Sequence, residues 1–372
     1  MNVFKLEEYL TKHEFTAKYL LCCSDAQSLS MSELVAMASR QDKEMWDNLT
    51  LGYTEPYGHP ALRQRIAALY PGLSAEHILC FAGAEEGIFC ALSTLIEPQD
   101  HVVVITPCYQ SLCEVPRAKG ADITQIALRE ENAWRIELDG VKSALRPTTK
   151  CVVINFPHNP TGQIITEEEL KGLIDLCAAR GIWLFCDEVY RLLGQTDSAP
   201  HAPPAASLYD KALSLGVMSK AFGMAGLRVG WIACKDKDII HKMKLMKDYV
   251  SICNSAPSEI LSMIALDHKE TILERNNKIV AENLGLLDGF FGDYAHLFEW
   301  IRPQGGCVGF VKYKGKEGVD ALCARLIEKQ NVLLMPASVY DFPGNYFRIG
   351  FGRENMPAAL AQLRAFLEAK HV

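Results

Sequence analysis

Short runs of consecutive apolar residues alternate with longer amphipathic segments between about residues 75 and 240 of this chain. Runs that are apolar at every position are typical of strands buried on both faces of a sheet. They predict strands at residues 78–82, 101–106, 150–156, 182–186, 212–218 and 229–233. The amphipathic segments predict helices at 86–96, 167–180 and 235–250. This alternation indicates βαβ units, and therefore an α/β fold with a mainly parallel sheet.

The composition is that of a soluble globular protein. Hydrophobic residues make up 49% and charged residues 22% of the 372 residues, and at roughly 150 residues per domain the length predicts about two domains. A net charge of -7 without a basic run argues against nucleic-acid binding. No apolar stretch reaches the ~18 residues of a membrane span, and the acidic N-terminus does not resemble a signal peptide. We therefore expect a cytoplasmic protein that does not bind membranes.

The thirteen cysteines are spread through apolar segments, and they contain no Cys-x-x-Cys pair. A zinc site or a thioredoxin-like motif is therefore not indicated. We expect reduced, mostly buried thiols rather than a disulfide framework, and no metal site.

Ligands of open parallel sheets bind beyond the carboxyl ends of the strands, and polar motifs follow several predicted strands there. After the first strand, Gly83, Ala84 and Glu85 open a helix whose free backbone N–H groups can receive a phosphate. The Glu85 side chain is favourable to the helix dipole in any case. After the second strand, Tyr109 can stack on a flat ring or be an ordinary core or rim residue, and taken by itself the second interpretation is preferred.

The next two strand ends carry an amide and an acid. Asn159 lies in a tight loop with proline and glycine, where it can donate to a phenolate oxygen or be part of an ordinary turn. Asp187 is followed three residues later by Tyr190. An aspartate here can cap a helix, or it can keep a pyridine nitrogen protonated, which makes the ring a better electron sink.

The run from Ser219 to Trp231 places Lys220 eight residues before Arg228, with glycines between and after them. A lysine amine can form a Schiff base with an aldehyde, an arginine can hold a phosphate, and glycines let a bulky ligand approach the backbone. Taken alone, a lysine is more often a solvated surface charge. The motifs taken together favour a pyridoxal-phosphate site over independent structural causes.

These motifs resemble those of fold-type I pyridoxal-phosphate enzymes of the class I/II aminotransferase group, and the resemblance covers nearly the whole chain. It implies a three-layer αβα large domain with a mixed, mainly parallel sheet at residues 47–265. Residues 1–46 and 266–372 would form a smaller α+β domain. That domain would contain a long connecting helix near 270–289 and a strand at 305–310.

The resemblance also implies a role for each motif. Lys220 would form the Schiff base with pyridoxal 5'-phosphate, and Asp187 would pair with the pyridine nitrogen. Asn159 and Tyr190 would bind the ring hydroxyl, with Asn159 also near the substrate, and Tyr109 would stack on the ring. Lys220, Asp187 and Tyr190 would be the catalytic residues. The phosphate would be held by Gly83, Ala84, Glu85, Ser219 and Arg228.

Two outlying segments extend the resemblance. Arg348, in the segment 346–351, would hold the substrate α-carboxylate with two parallel hydrogen bonds, although an arginine there can also be a surface residue of an edge strand. Tyr53, in the segment 51–63, would reach the cofactor phosphate of the neighbouring subunit. The active unit would then be a homodimer with a shared active site.

The chain departs from the family pattern in two places. Val217 stands where many relatives have Ser or Thr, so one phosphate hydroxyl is missing. The segment 21–29 stands where relatives commonly carry a glycine-rich turn that touches the substrate. Within it, Asp25 can select a cationic substrate side chain or cap a helix starting near Ser32, and capping is the preferred interpretation.

The resemblance implies transamination between an α-amino acid and a 2-keto acid, with Lys220 moving the proton. The same scaffold serves decarboxylases, C–S lyases and capreomycidine-synthase-like cyclases. A ligand-sensing regulator is disfavoured because only about fifty residues, without a basic helix-turn-helix pattern, precede Tyr53. A nicotinamide dehydrogenase is disfavoured because no Gly-x-Gly-x-x-Gly follows a strand.

Overall fold

The computed structural model describes residues 1–194 and 201–369. Their strands are β1 (Tyr19–Leu20), β2 (Ile78–Phe81), β3 (His101–Thr106), β4 (Asp122–Ala127), β5 (Thr149–Asn155), β6 (Trp183–Asp187), β7 (Ala212–Val217), β8 (Gly230–Ala233), β9 (Phe298–Glu299), β10 (Val308–Tyr313), β11 (Val332–Leu333), β12 (Met335–Pro336) and β13 (Tyr346–Gly350).

The α-helices of the same residues are α1 (Lys5–His13), α2 (Met31–Ala36), α3 (Arg40–Asp47), α4 (Pro60–Ala67), α5 (Ala84–Leu95), α6 (Ser111–Ala118), α7 (Leu138–Ala144), α8 (Glu167–Ala178), α9 (Ala205–Leu208), α10 (Lys237–Lys247), α11 (Ala256–Asp267), α12 (Lys269–Asp293), α13 (Val319–Gln330) and α14 (Met356–Glu368). No helix in this part of the chain is long and apolar enough to cross a membrane.

The central sheet has seven strands in the order β2-β8-β7-β6-β5-β3-β4. Its neighbours pair in parallel except around β8, which runs antiparallel to both β2 and β7. Because β2, β3, β5, β6 and β7 all run in one direction, their carboxyl ends lie along one edge. The predicted mixed, mainly parallel sheet is confirmed.

The sheet is buried on both faces. Val102 and Val104 of β3 belong to one hydrophobic core, together with residues of α5, α10 and α11. Val103 and Ile105, which point the other way, belong to a second core with residues of α7 and α8. Alternate residues of a strand face opposite sides of a sheet, so helices cover both faces and the arrangement has three layers.

A second sheet lies in the C-terminal part of the chain. It has four antiparallel strands in the order β12-β13-β10-β9. The 25-residue helix α12 connects it to the elements of the large sheet. A short parallel pair, β1 with β11, brings the N-terminal segment to the same region. The division into domains at residues 47–265 and at 1–46 with 266–372 stays a prediction.

The predicted elements differ from the observed ones mostly at their ends. Helix α8 begins at Glu167 because the Thr166 side chain accepts from the Glu169 N–H and the Glu169 carboxylate accepts from the Thr166 N–H. The strand predicted at 305–310 begins three residues later, at Val308, and Gly305 and Gly306 form a turn before it. Strand β4 was not predicted.

The preferred helix-capping role of Asp25 is wrong. Helix α2 begins at Met31, and its N-cap is Ser30, whose hydroxyl accepts from the Glu33 N–H at 3.2 Å. The Glu33 carboxylate in turn accepts from the Ser30 N–H. Ser30 is adjacent to the helix and Asp25 is not, so the local serine satisfies the free N–H groups first.

A fully buried lysine ties together three segments near the end of β2. Lys247 has 0% exposure, and its Nζ donates to the carbonyl oxygens of Pro56 at 2.9 Å and Cys80 at 2.8 Å. It also donates to Oδ1 of Asn254 at 2.6 Å, while the Asn254 amide donates to the carbonyl of Phe81 at 2.8 Å. One side chain therefore satisfies acceptors on β2, on the loop before α4 and on the loop before α11.

Replacing this lysine should destabilise the protein. Lys247→Met keeps the aliphatic packing but leaves buried acceptors without donors, so we expect the free energy of unfolding to fall by about 2–4 kcal/mol in urea titrations. Lys242→Met, at an exposed position of the same helix, is the matched control and should change it by no more than about 0.5 kcal/mol. Equal stabilities of the two variants would show that the buried contacts contribute nothing.

Candidate active site

A cavity of about 560 Å³ opens at the carboxyl edge of the central sheet. It brings together ten of the residues that the sequence motifs singled out, which come from six separate segments. They are Ala84, Glu85, Tyr109, Asn159, Asp187, Tyr190, Ser219, Lys220, Arg228 and Arg348. Val217 and Asp25 also line the cavity.

The pairing register of β5 and β6 places Asp187 in the lining of the cavity. Asn155 of β5 pairs with Asp187 of β6, and both are the last residues of their strands. The Asn155 amide donates to the Asp187 carbonyl at 3.0 Å, and its oxygen accepts from the Asn159 N–H at 2.8 Å. Asn155 thus fixes the Asn159 loop against the end of β6.

Asp187 is buried, and desolvation raises the pKa of its carboxyl to about 7. The Val189 N–H, which donates to its Oδ1 at 3.3 Å, and the nearby charge of Lys220 act in the opposite direction. A carboxyl in this environment is stabilised as an anion by a cation placed beside it. A protonated pyridine nitrogen is such a cation.

The turn before α5 is shaped to admit an anion. Gly83 is the N-cap of α5, with φ of 94° and, among the described residues, no side-chain cap on the helix. A Cβ at Gly83 would lie 2.6 Å from Nη2 of Arg228, so only glycine lets the arginine approach the turn. Helix N–H groups and a guanidinium therefore converge on one point.

Lys220 extends into the cavity from the loop after β7. Its Nζ lies 2.9 Å from the Ser24 hydroxyl oxygen and 5.8 Å from the centroid of the Tyr190 ring. Burial lowers the pKa of the Lys220 amine, while the carboxylate of Asp25 raises it. A lowered pKa increases the fraction of neutral amine, which is the nucleophilic and basic form.

Tyr190 is buried and its hydroxyl donates to the carbonyl of Ser24 at 2.7 Å. Desolvation raises the pKa of its phenol well above the usual value. Tyr190 and Asn159 lie in the same cavity as Lys220, as their predicted roles beside the ring hydroxyl require. Their contact with that hydroxyl stays a prediction.

Arg348 is 2% exposed and comes from β13, which has neighbours on both sides, so it is not a surface residue of an edge strand. Its Nη2 donates to the Cys22 carbonyl at 2.8 Å, and its Nη1 donates to the Tyr340 hydroxyl at 2.7 Å. Nη1 also lies 3.2 Å from Oδ1 of Asn159. These contacts hold the guanidinium in a fixed orientation beside the cavity.

The N-terminal helix α1 forms part of the wall of the cavity. The Tyr109 hydroxyl donates to the Glu7 carboxylate at 2.6 Å, and the Tyr109 ring packs against Phe4 with centroids 5.0 Å apart. Glu85 turns its side chain to the Ser111 hydroxyl, which donates to it at 2.9 Å. Burial raises the pKa of Glu85 to about 7. The phosphate turn would use the backbone of Glu85 rather than its carboxyl.

Asp25 pairs with Arg353 in a bidentate salt bridge, with N–O distances of 3.0 and 2.9 Å. The pair lines the cavity, so its charges largely neutralise each other there. Selection of a cationic substrate by Asp25 stays a prediction.

Tyr53 does not line this cavity. It is 91% exposed and lies in a separate groove with residues of α3 and α11. The sequence-based expectation for Tyr53 was contact with a neighbouring subunit, which requires a surface position. That contact stays a prediction.

Four further residues shape the site. Cys22 and Ser24 belong to the segment 21–29, which the sequence analysis singled out without assigning a role to either residue. Tyr340 and Arg353 follow no motif in the sequence. They are found only when folding brings the C-terminal part of the chain to the cavity.

The residues fit pyridoxal 5'-phosphate. An uncapped helix N-terminus and Arg228 match its phosphate, the buried carboxyl of Asp187 matches a protonated ring nitrogen, and the Lys220 amine matches its aldehyde. Any side chain at position 83 would fill the space between the turn before α5 and the Arg228 guanidinium.

Comparison with known proteins agrees with this geometry. The family described as "Aminotransferase class I and II" matches residues 23–363. Capreomycidine synthase of Streptomyces vinaceus is 30% identical over 93% of this chain and 88% of its own length. Aspartate aminotransferase of Geobacillus stearothermophilus is 29% identical over 86% of this chain and 84% of its own length.

A solved structure of a PLP-dependent aminotransferase from Streptococcus suis superimposes with a TM-score of 0.93 and 31% identity. The match covers 99% of this chain and 98% of the other. The chain belongs to the class I and II aminotransferase family. Its cofactor is pyridoxal 5'-phosphate.

Lys220→Ala should abolish covalent attachment of the cofactor, because no other amine occupies its place in the loop after β7. The measurement is borohydride reduction of the PLP-loaded protein followed by peptide mass spectrometry. The wild type should carry the reduced adduct on Lys220, and Lys220→Ala should carry none at the active site. Exposed Lys242→Ala is the control and should behave as wild type. A reducible active-site adduct in Lys220→Ala would contradict the assignment.

Proposed function

We propose that the protein is an aminotransferase that moves an amino group between an α-amino acid and a 2-keto acid. The observation that carries the proposal is that Lys220, Asp187 and Arg348 line a single cavity. They supply a base, an acid partner for the cofactor ring and a carboxylate receptor. The similarity to aspartate aminotransferase of Geobacillus stearothermophilus and to the PLP-dependent aminotransferase of Streptococcus suis supports it.

Arg348 binds and orients the substrate. Its buried guanidinium is already held by the Cys22 carbonyl and the Tyr340 hydroxyl, so little side-chain freedom remains to be lost on binding. A planar guanidinium recognises a carboxylate through two parallel N–H donors, which fixes the rotation of the amino acid. The orientation of the Cα–H bond follows from that contact.

Lys220 moves the proton. Its amine is the group that attaches the cofactor, and once free it accepts the proton from the substrate Cα. The lowered pKa of this amine favours the neutral, proton-accepting form. When bound, pyridoxal phosphate supplies the electron sink that makes the Cα proton removable. Asp187 contributes the negative charge that keeps the ring nitrogen protonated.

A capreomycidine-synthase-like cyclisation is the second candidate. Its support is the 30% identity to capreomycidine synthase over 93% of this chain. Lys220, Asp187 and Arg348 could serve either reaction, so the lining of the cavity does not separate the two candidates.

The reaction is tested by a screen of L-amino acids against pyruvate, 2-oxoglutarate and oxaloacetate with the PLP-loaded protein. We expect consumption of one acceptor to match the 2-keto acid formed, without release of carbon dioxide or ammonia. Arg348→Lys, which keeps the charge but loses the planar fork, should raise KM about tenfold or more. A cyclised product formed without any keto acid acceptor would overturn transamination in favour of the second candidate.

The proposed active unit is a homodimer in which Tyr53 reaches the partner's cofactor phosphate. The exposure of Tyr53 supports this, as do the exposed apolar side chains of Leu51, Tyr249 and Val250. Large exposed apolar residues are often covered by a partner in oligomers.

The dimer is tested through cofactor affinity. Tyr53→Phe should raise the Kd for PLP about tenfold, because it removes one hydrogen bond to a charged phosphate. Mixing it with Lys220→Ala should create hybrid dimers in which the site containing Lys220 receives Tyr53 from the other chain and regains wild-type affinity. Wild-type affinity of Tyr53→Phe by itself would contradict the shared site.

A further inference from the structure

The segment 21–27 is fixed across the cavity by backbone hydrogen bonds to two other segments. The Gly350 N–H donates to the Leu21 carbonyl at 2.8 Å, and the Gln27 N–H donates to the Gly352 carbonyl at 2.8 Å. The Ala26 N–H donates to the carbonyl of Lys220 itself at 3.3 Å. The position of this segment relative to Lys220 is therefore set by the backbone and not by a mobile side chain.

Close packing keeps the segment beside the lysine loop. Gly223 has φ of 69°, and a Cβ there would lie 2.5 Å from the carbonyl oxygen of Gln27. Only glycine permits this approach of two backbones. Ser24, three residues before Gln27, is thereby held over the cavity.

Ser24 touches both catalytic groups of this wall. Its hydroxyl oxygen lies 2.9 Å from Nζ of Lys220, and its carbonyl accepts from the Tyr190 hydroxyl at 2.7 Å. Ser24 therefore contacts Lys220 through its side chain and Tyr190 through its backbone.

We propose that Ser24 is a positioning residue for Lys220, whose free amine it holds by a hydrogen bond to the serine hydroxyl. The inference rests on the proposed role of Lys220 as the base. The free amine exists before the cofactor attaches, and again after a substrate amine has replaced the lysine. At both stages the hydroxyl restrains an otherwise flexible side chain.

The restraint has a physical purpose. A lysine side chain has many rotamers, so a free ammonium or amine samples many positions. One N–H directed to Ser24 limits where the remaining N–H bonds and the lone pair point. The Lys220 amine then stays within the cavity, near the atoms from which it takes a proton.

Several charged and titratable groups also face the Lys220 amine, and they influence its pKa independently of Ser24. Asp187 from the end of β6 and Asp25 from the N-terminal segment favour the charged ammonium. Arg348 from β13 opposes it, and Cys307, in the turn before β10, lies nearby. Because the Ser24 hydroxyl accepts a hydrogen bond from Nζ of Lys220, we expect it to favour the charged ammonium as well.

The test measures the rate at which PLP attaches covalently to cofactor-free protein across a pH series. Attachment needs neutral amine, so the rate rises with pH around the pKa of Lys220. Ser24→Ala removes the acceptor and should move this rise down by about one pH unit, as the loss of one hydrogen bond to a charged group implies. The titration of PLP itself is common to all variants and cancels in the comparison.

Two variants complete the experiment. Ser24→Thr keeps the hydroxyl and should restore the wild-type profile. Ser28→Ala changes an exposed serine of the same segment and should leave the profile in place. Circular dichroism spectra of the variants should coincide, which separates a shifted amine from a misfolded protein.

The outcomes distinguish this inference from the proposed function. A wild type that attaches no PLP at Lys220 would overturn the proposed function itself. A wild type that attaches PLP normally, with an unshifted profile in Ser24→Ala, would overturn the role of Ser24 alone. A shift in Ser24→Ala that Ser24→Thr does not reverse would also overturn it, because the hydroxyl would then not be the cause.

Discussion

The register among β5, β6 and β7 is the constraint on which the site depends. It sets Asn155 level with Asp187, so the amide of one strand end can hold both the neighbouring strand and the loop that carries Asn159. A slip of one residue would turn Asp187 to the other face of the sheet. Phe185 of β6 belongs to one hydrophobic core, whereas Leu184 and Cys186 belong to the other, so such a slip would be costly.

Much of the fold could be predicted because buried parallel strands have a strong local signature. The continuous apolar runs located every strand of the large sheet except β4. That edge strand alternates polar and apolar residues, and Asp122 and Ala127 at its ends are exposed, so it lacks the continuous run. Likewise, Lys220 and Asp187 could be predicted because each lies directly after a predicted strand.

The rest of the site could not be predicted because it depends on contacts between distant parts of the chain. Tyr340 and Arg353 lie in the C-terminal part, and the pairing of β13 with its neighbours brings Arg353 to the cavity and Tyr340 to Arg348. Asp25 was misinterpreted for the same reason. Local rules favour a cap, whereas its observed partner, Arg353, is 328 residues away. Sequence periodicity carries no information on such pairs.

The buried contacts of Lys247 also limit how this chain can evolve. Two of its three acceptors are backbone carbonyls, those of Pro56 and Cys80, which no substitution can remove. A second mutation therefore cannot compensate fully for the loss of the lysine, as it could for a pair of side chains. A substitution at position 247 is therefore expected to be tolerated only where the new side chain also donates hydrogen bonds, or where the loop before α4 changes as well.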